Sequence, residues 1–246
     1  MKGLLTGLAC ALLLAGCEND SDALRMVTEA SYPPYEFLRG REVVGVDVEV
    51  CRAIAERLGR PLKVVNVDFD AVIASVVSGK ADLAAAGITV TEDRKKNVDF
   101  SIPYVKTGLV VIYRKSDPVL TDAACKGRRI GVQGGTTSDE YVVRKLGQEP
   151  ERYHSDAEAV VALRSGRCDA VLCDLILAQR CIRGISDLAL SEPVTTEEYA
   201  IAVRKGRPEI LRAVNEALAE IKADGRLDRW MDGYVAESDS MREKNP

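Results

Sequence analysis

Between residues 69 and 104 the apolar positions change their period. Val72, Ile73, Val76 and Val77 recur at i, i+1, i+4 and i+5, which predicts one apolar face of a helix. Ser78, Gly79 and Lys80 stop that helix. Leu83, Ala84, Ala85 and Ala86 form an unbroken apolar run behind Asp82, as in a short strand buried in a parallel sheet. Gly87, Ile88, Thr89 and Val90 predict a loop. Thr91 then predicts a helix N-cap, followed by Glu92 and Asp93, carboxylates that suit the first turn. Arg94 falls in that turn.

The same alternation extends on both sides. A strand is predicted over 24–28, then a loop over 29–37 pinned by Pro33 and Pro34. A helix is predicted over 45–58, with Val46, Val50, Ile54 and Leu58 on one face and Gly59 and Pro61 ending it. A second strand follows over 62–67. Beyond residue 104 the pattern repeats: strand 129–132, a loop of Gly134, Gly135, Thr136 and Thr137, helix 138–146, strand 151–154, helix 157–165 and strand 170–173. The chain closes with a strand over 199–204, a helix over 208–223 and another near 227–235. Strands alternating with helices imply right-handed crossovers and parallel sheets, here in two α/β units.

In open α/β sheets ligands bind outside the carboxyl ends of the strands, so the loops there are the candidate site. Backbone N–H groups after the third strand, the Thr89 hydroxyl and the Arg94 guanidinium would converge on one spot suited to a small carboxylate. The alternative is a surface Arg94 paired with Glu92 or Asp93. Gly134 to Thr137 opens a helix as a phosphate loop does, but without the lysine, which reads as a second carboxylate cradle centred on Thr137 with Thr136 beside it.

The N-terminus departs from this pattern. Met1 and Lys2 form a short basic region, and residues 4–14 an apolar stretch too short to span a bilayer, so 1–16 is predicted to be a signal peptide. It ends in Leu14-Ala15-Gly16-Cys17, which resembles a bacterial lipobox and predicts lipidation of Cys17, with 17–23 as a polar tether.

With 46% hydrophobic residues the remaining chain can bury a sizeable core. The formal net charge of −4, with no basic stretch longer than Arg94-Lys95-Lys96, argues against nucleic acid. A single histidine, His154, is too little for a histidine-based metal site, and no motif calls for a cofactor. Cys51, Cys125, Cys168, Cys173 and Cys181 include no C-x-x-C pair. Cys125 and Cys168 each precede a strand of the second unit. If those strands are parallel neighbours, about 4.8 Å apart, the two cysteines come within disulfide reach. The alternative is that all five are small buried apolar residues.

The run GITVTEDRKKNVDFSIPY, together with GVDVEVCRAIAERLG, GVQGGTTSDEYV and YAIAVRKGRPEILRAVNEAL in this order, resembles the periplasmic amino-acid-binding proteins, the solute receptors of ABC importers (extracellular solute-binding proteins, family 3). The similarity runs from about 26 to 235. It implies the type II periplasmic-binding fold: two doubly wound α/β domains joined by a two-segment hinge. The expected division is 24–103 with 203–246 for one domain, 109–197 for the other, and hinges at 104–108 and 198–202.

The resemblance also implies roles. Arg94 clamps the ligand's α-carboxylate, Thr89 adds its hydroxyl and N–H, and Gly87 offers its carbonyl to the α-ammonium. Asp174 takes that ammonium. Asp169 competes on sequence but precedes its strand and so lies at the wrong sheet end. Tyr32 and Phe69 sandwich the side chain, with Gln133 near it. Glu29 stands where an aspartate is usual and would pair with a basic or amide side chain. Phe69 also reads as core, and Glu29 as a solvated loop carboxylate. Leu175 departs from the family, where an acid commonly follows Asp174.

The ligand class implied is a polar or basic amino acid, such as arginine, lysine, histidine or glutamine. The implied partner is a membrane permease, with the receptor acting as a monomer. Two other readings stay open: a dehydratase acting on prephenate or arogenate, whose glutamate acid is replaced here by Leu177, and a sensory ligand-binding protein.

Overall fold

The structure is a computed structural model that describes residues 22–244. The signal segment and Cys17 lie outside the described residues.

The apolar runs form two five-stranded sheets. Strand β1 (Leu24–Thr28) leads into a small antiparallel meander of β2 (Ser31–Tyr32), β3 (Glu36–Arg39) and β4 (Glu42–Val44). Then come α1 (Val46–Arg57), β5 (Leu62–Asn66), α2 (Phe69–Val77), β6 (Leu83–Ala84), the single turn α3 (Glu92–Lys95) and β7 (Val98–Phe100). Strand β8 (Val105–Thr107) crosses to the second domain, built from β9 (Leu109–Arg114), β10 (Ile130–Gln133), α4 (Thr137–Tyr141), β11 (Glu151–Tyr153), α5 (Asp156–Arg164), β12 (Ala170–Asp174), α6 (Leu175–Ile182) and β13 (Leu188–Leu190). Strand β14 (Glu197–Tyr199) returns to the first domain, where β15 (Ala202–Arg204), α7 (Pro208–Ala223) and α8 (Arg226–Lys244) complete it.

The first sheet has the order β5-β1-β6-β15-β7 and the second β11-β10-β12-β9-β13. The predicted parallel strands pair as expected, β1 with β5 and β6, and β10 with β11 and β12. Each sheet also holds one strand running against these, β15 and β9, both fed directly by a crossing segment. The crossings themselves pair antiparallel, with Val105 opposite Tyr199 and Thr107 opposite Glu197.

Helix periodicity translates into burial. In α7, Ile210, Val214, Leu218 and Ile221 are fully buried against α1 and the first sheet. Each contributes roughly 1.5–3 kcal/mol by leaving water, far more than intrinsic helix propensity supplies. In α1 the expected Val46, Val50 and Ile54 are buried. In α2 only Val72 and Val76 are; Ile73 is half-buried and Val77 is 49% exposed, so the apolar face is narrower than its sequence suggests. The strand expected over 199–204 is two, since β14 pairs with the other crossing and β15 with the sheet.

The proposed Cys125–Cys168 bridge is not formed, and all five cysteines among the described residues are free. Strands β10 and β12 are parallel neighbours as required, but the cysteines pack on opposite faces of the sheet. Cys125 sits with Val111, Ile130 and Leu172, and Cys168 with Ile112, Val171 and Leu163. The sheet itself separates the two thiols.

Candidate ligand-binding cleft

The carboxyl ends of β1, β6, β10 and β12 open into one cavity of about 380 Å³ between the domains. All ten residues singled out from the sequence line it: Glu29, Tyr32, Phe69, Gly87, Thr89, Arg94, Gln133, Thr136, Thr137 and Asp174.

On the first-domain side, Thr91 caps α3 by accepting the Arg94 N–H at 3.1 Å. This turn is too short to stand alone, and its cap fixes where Arg94 points. Arg94 is 8% exposed. Its Nη1 donates to the Thr89 carbonyl at 3.0 Å, and its guanidinium carbon lies 5.7 Å from the centre of the Phe69 ring. Phe69 therefore serves the cavity as well as the core. The surface alternative for Arg94 fails because Glu92 and Asp93 pair with Lys95, Lys96 and Arg144 instead. Burial depresses the Arg94 guanidinium from its usual value, and Glu140 and Glu197 counter this. Gly87 has φ +54°, and a Cβ there would sit 2.7 Å from the Tyr32 ring, so only glycine lets this backbone approach the aromatic wall.

On the second-domain side, Asp174 ends β12. Its Oδ1 accepts the Tyr32 hydroxyl at 2.5 Å and the Ile176 N–H at 2.8 Å, and its Oδ2 accepts the Thr107 hydroxyl at 2.6 Å. Asp169 lies elsewhere, paired with Arg129. The Gly134-Gly135 turn brings Thr136 and Thr137 to the start of α4. The Thr136 hydroxyl caps that helix, accepting the Asp139 N–H at 3.4 Å and donating to the Gln133 carbonyl at 2.8 Å. Thr137 is free of that duty and reaches across the cleft. Gln133 Nε2 donates to the His154 carbonyl at 3.0 Å and to Glu29 Oε2 at 3.5 Å.

Several contacts join the two half-sites. Arg94 Nη2 donates to the Gly135 carbonyl at 3.3 Å. Glu197, from the return crossing, accepts both the Thr89 hydroxyl at 2.8 Å and the Thr137 hydroxyl at 3.0 Å on Oε2. Tyr199 meets Tyr32, hydroxyl to hydroxyl, at 3.0 Å. The sequence pointed to neither residue as a binding group, because crossing strands carry no motif. The only signal was the placing of Tyr199 in the expected hinge 198–202, with Glu197 just ahead of it. Asp156 and Ser155 were missed too, since a serine and an aspartate at a helix start read as ordinary capping.

Among the described residues, four carboxylates and four arginines line the cavity. Burial raises Glu29 and Glu197 above the usual carboxylate range. The same burial, reinforced by Asp174 and Glu29, pushes Asp156 up to about 7. Besides Arg94, the arginines that line the cavity are Arg164, Arg180 and Arg242; Arg180 is bonded to Ser238, and Arg242 to the Arg180 and Arg183 carbonyls. Arg94 and the two threonines can hold an anion, Asp174 a cation, and the remaining carboxylates a further cation.

Two α/β domains, two crossing segments and a cleft drawing residues from both define a bilobal solute-binding protein of the type II periplasmic class. Residues 24–237 match the model of bacterial extracellular solute-binding proteins, family 3, and the chain belongs to that family; it is a solute-binding protein and not an enzyme. It is 33% identical to ABC transporter arginine-binding protein 1 of Escherichia coli (strain K12) over 92% of this chain and 98% of that protein. It is 32% identical to the L-cystine-binding protein TcyJ of the same strain, over 84% of this chain and 82% of TcyJ. Among solved structures, a mutant of ArgBP from T. maritima superposes with a TM-score of 0.82 at 35% identity, covering 88% of this chain and 96% of that one. Among the described residues no helix is long and apolar enough to cross a membrane.

Proposed function

We propose that this chain is the extracytoplasmic receptor of an ABC importer for a free L-amino acid with a cationic side chain, arginine foremost, with lysine, histidine and glutamine as weaker ligands. The observation that carries this reading is the pairing of Arg94 and Asp174, which face one cavity from opposite domains. An amino acid carries a carboxylate and an ammonium on one carbon, the complement of such a pair. The α-carboxylate goes to Arg94, Thr89 and Thr137, and the α-ammonium to Asp174 and the Gly87 carbonyl. Tyr32 and Phe69 flank the side chain, whose cation meets Glu29 and Gln133. The arginine-binding relatives support the choice of arginine.

The half-sites belong to different domains, so a ligand that bridges them stabilises the closed arrangement. The domains comprise 24–103 with 203–246, and 109–197, and they rotate about 104–108 and 198–202. The permease recognises the closed form. A lipid on Cys17 holds the receptor, a monomer, at the membrane surface.

A thermal-shift screen of the twenty amino acids tests this. A ligand that binds only the folded chain adds about 2.7 kcal/mol of stability at a hundred times its Kd. Arginine is expected to give the largest rise in Tm, abolished by Arg94→Ala. The absence of a shift with every amino acid would sink the proposal.

A further inference from the structure

Asp156 has a geometry that its place in the fold does not require. It is the first residue of α5, yet that helix is already capped: the Ser155 hydroxyl accepts the Glu158 N–H at 3.3 Å. The Asp156 side chain is 6% exposed and lines the cavity. The backbone N–H of Gln133 lies near its carboxylate and partly offsets the cost of burying it. Its Oδ1 has no hydrogen-bond partner among the described residues. Two more carboxylates, Glu29 and Asp174, are its charged neighbours, and no arginine or lysine among the described residues forms an ion pair with it. A buried carboxylate in such company is costly unless a cation joins it.

Once the α-ammonium has taken Asp174, and with Glu197 held by Thr89 and Thr137, Gln133 stands beside the other two acids of the cavity, Glu29 and Asp156. Its side chain donates to Glu29 at 3.5 Å, and its backbone lies beside Asp156. Both acids are therefore held at the end of β10, beyond the α-carbon contacts. A guanidinium carries five donors in a planar fork and can serve two carboxylates together, whereas an ammonium presents its donors from one point.

We propose that Asp156 is a specificity-determining residue that, with Glu29, receives the cationic end of the ligand's side chain and sets a preference for a guanidinium over its neutral isostere. This rests on the reading of the cleft as an amino-acid site. The neutral isostere of arginine is citrulline, in which a carbonyl oxygen replaces one guanidinium nitrogen. That oxygen would face the unpartnered Asp156 oxygen, acceptor against acceptor. Discrimination thus comes from a repulsive contact as well as an attractive one.

The test is titration calorimetry of the purified protein with L-arginine and L-citrulline, for the natural chain and for Asp156→Asn and Asp156→Ser. The natural chain is expected to bind arginine about thirtyfold or more tightly than citrulline, and each variant to reduce that ratio about tenfold or more. Citrulline affinity should hold or rise, because its α-carboxylate and α-ammonium contacts persist and the acceptor-against-acceptor contact is relieved. An unchanged ratio in a variant that still binds citrulline overturns the assignment. So does a ratio near one in the natural chain, which decides the matter even if neither variant folds. A natural chain that binds no amino acid refutes the amino-acid reading itself, a separate failure.

Discussion

At the residue scale, the proposed site rests on Arg94 and Asp174, and each makes a separable expectation. Arg94→Lys keeps the charge but loses the fork that bonds the Thr89 and Gly135 carbonyls and grips a carboxylate with two nitrogens. Ligand affinity is expected to fall about a hundredfold by calorimetry. Asp174→Asn should cost about tenfold or more, while Asp169→Asn, which touches only the arginine pairs at the far sheet end, should leave affinity unchanged. Retained affinity in Asp174→Asn would contradict its role as the ammonium's partner. Arg94 and Thr89 were legible because each sits at a strand end or helix start whose local pattern is strong, and Asp174 through the family resemblance. Glu197, Tyr199 and Asp156 were not, because what makes them part of the cleft is the meeting of two distant segments. Thr89 and Glu197, 108 positions apart, are joined only by the folded arrangement.

At the element scale, legibility followed periodicity. Helix α7 occupies 208–223 as its apolar spacing and Pro208 require. By contrast β9 is an unbroken apolar run, Leu109 to Tyr113, whose burial on both faces erases the alternation that marks a strand. The meander β2 to β4 was hidden because Glu36, a charged residue, is buried at 1% exposure within it. The cysteine inference failed here too: strand adjacency was right, but adjacency does not say which face a residue takes. The crossings carry their own expectation. At Gly108 an added Cβ would lie 2.2 Å from the Thr195 carbonyl oxygen, a backbone atom just ahead of β14. Gly108→Ala is expected to destabilise the fold by about 2 kcal/mol or more in a urea titration, with the loss in the midpoint rather than in the slope. Helix α8 makes a second link. It packs on α1 and α7, while Arg180 bonds Ser238, Arg183 pairs with Asp239, and Arg242 donates to the Arg180 and Arg183 carbonyls. Arg242→Ala should weaken ligand binding about threefold, because it removes the link from α8 to the Arg180 and Arg183 carbonyls of the second domain.

At the scale of the whole molecule, the cleft couples stability to pH. Asp156 is held up to about 7, chiefly by burial, then by Asp174 and Glu29; Cys173 and Cys181 also lie near it. In the unfolded chain it titrates near about 4. The folded state therefore keeps a proton that the unfolded state releases. The stability from this group is full below about pH 4 and is lost as pH rises to about 7. Glu29 and Glu197, also raised by burial, act in the same direction. The ligand-free Tm should fall over this window, and less steeply in Asp156→Asn. A cationic ligand reverses the trend, since it favours the ionised acid, so the Tm rise produced by arginine should grow between pH 5 and about 7.5. Equal pH slopes for Asp156→Asn and the natural chain would contradict this.

The two-domain arrangement gives these local effects their purpose. Arg94 and Asp174 reach one another only across the cleft, so a zwitterion that satisfies both holds the halves together. The most direct test is a calorimetric titration of L-arginine into the natural chain, Arg94→Ala and Asp174→Ala. One ligand bound per natural chain, with binding lost in both variants while their circular dichroism stays native, is the result expected. Arginine binding that survives either substitution, or a natural chain that binds no amino acid, would contradict the account.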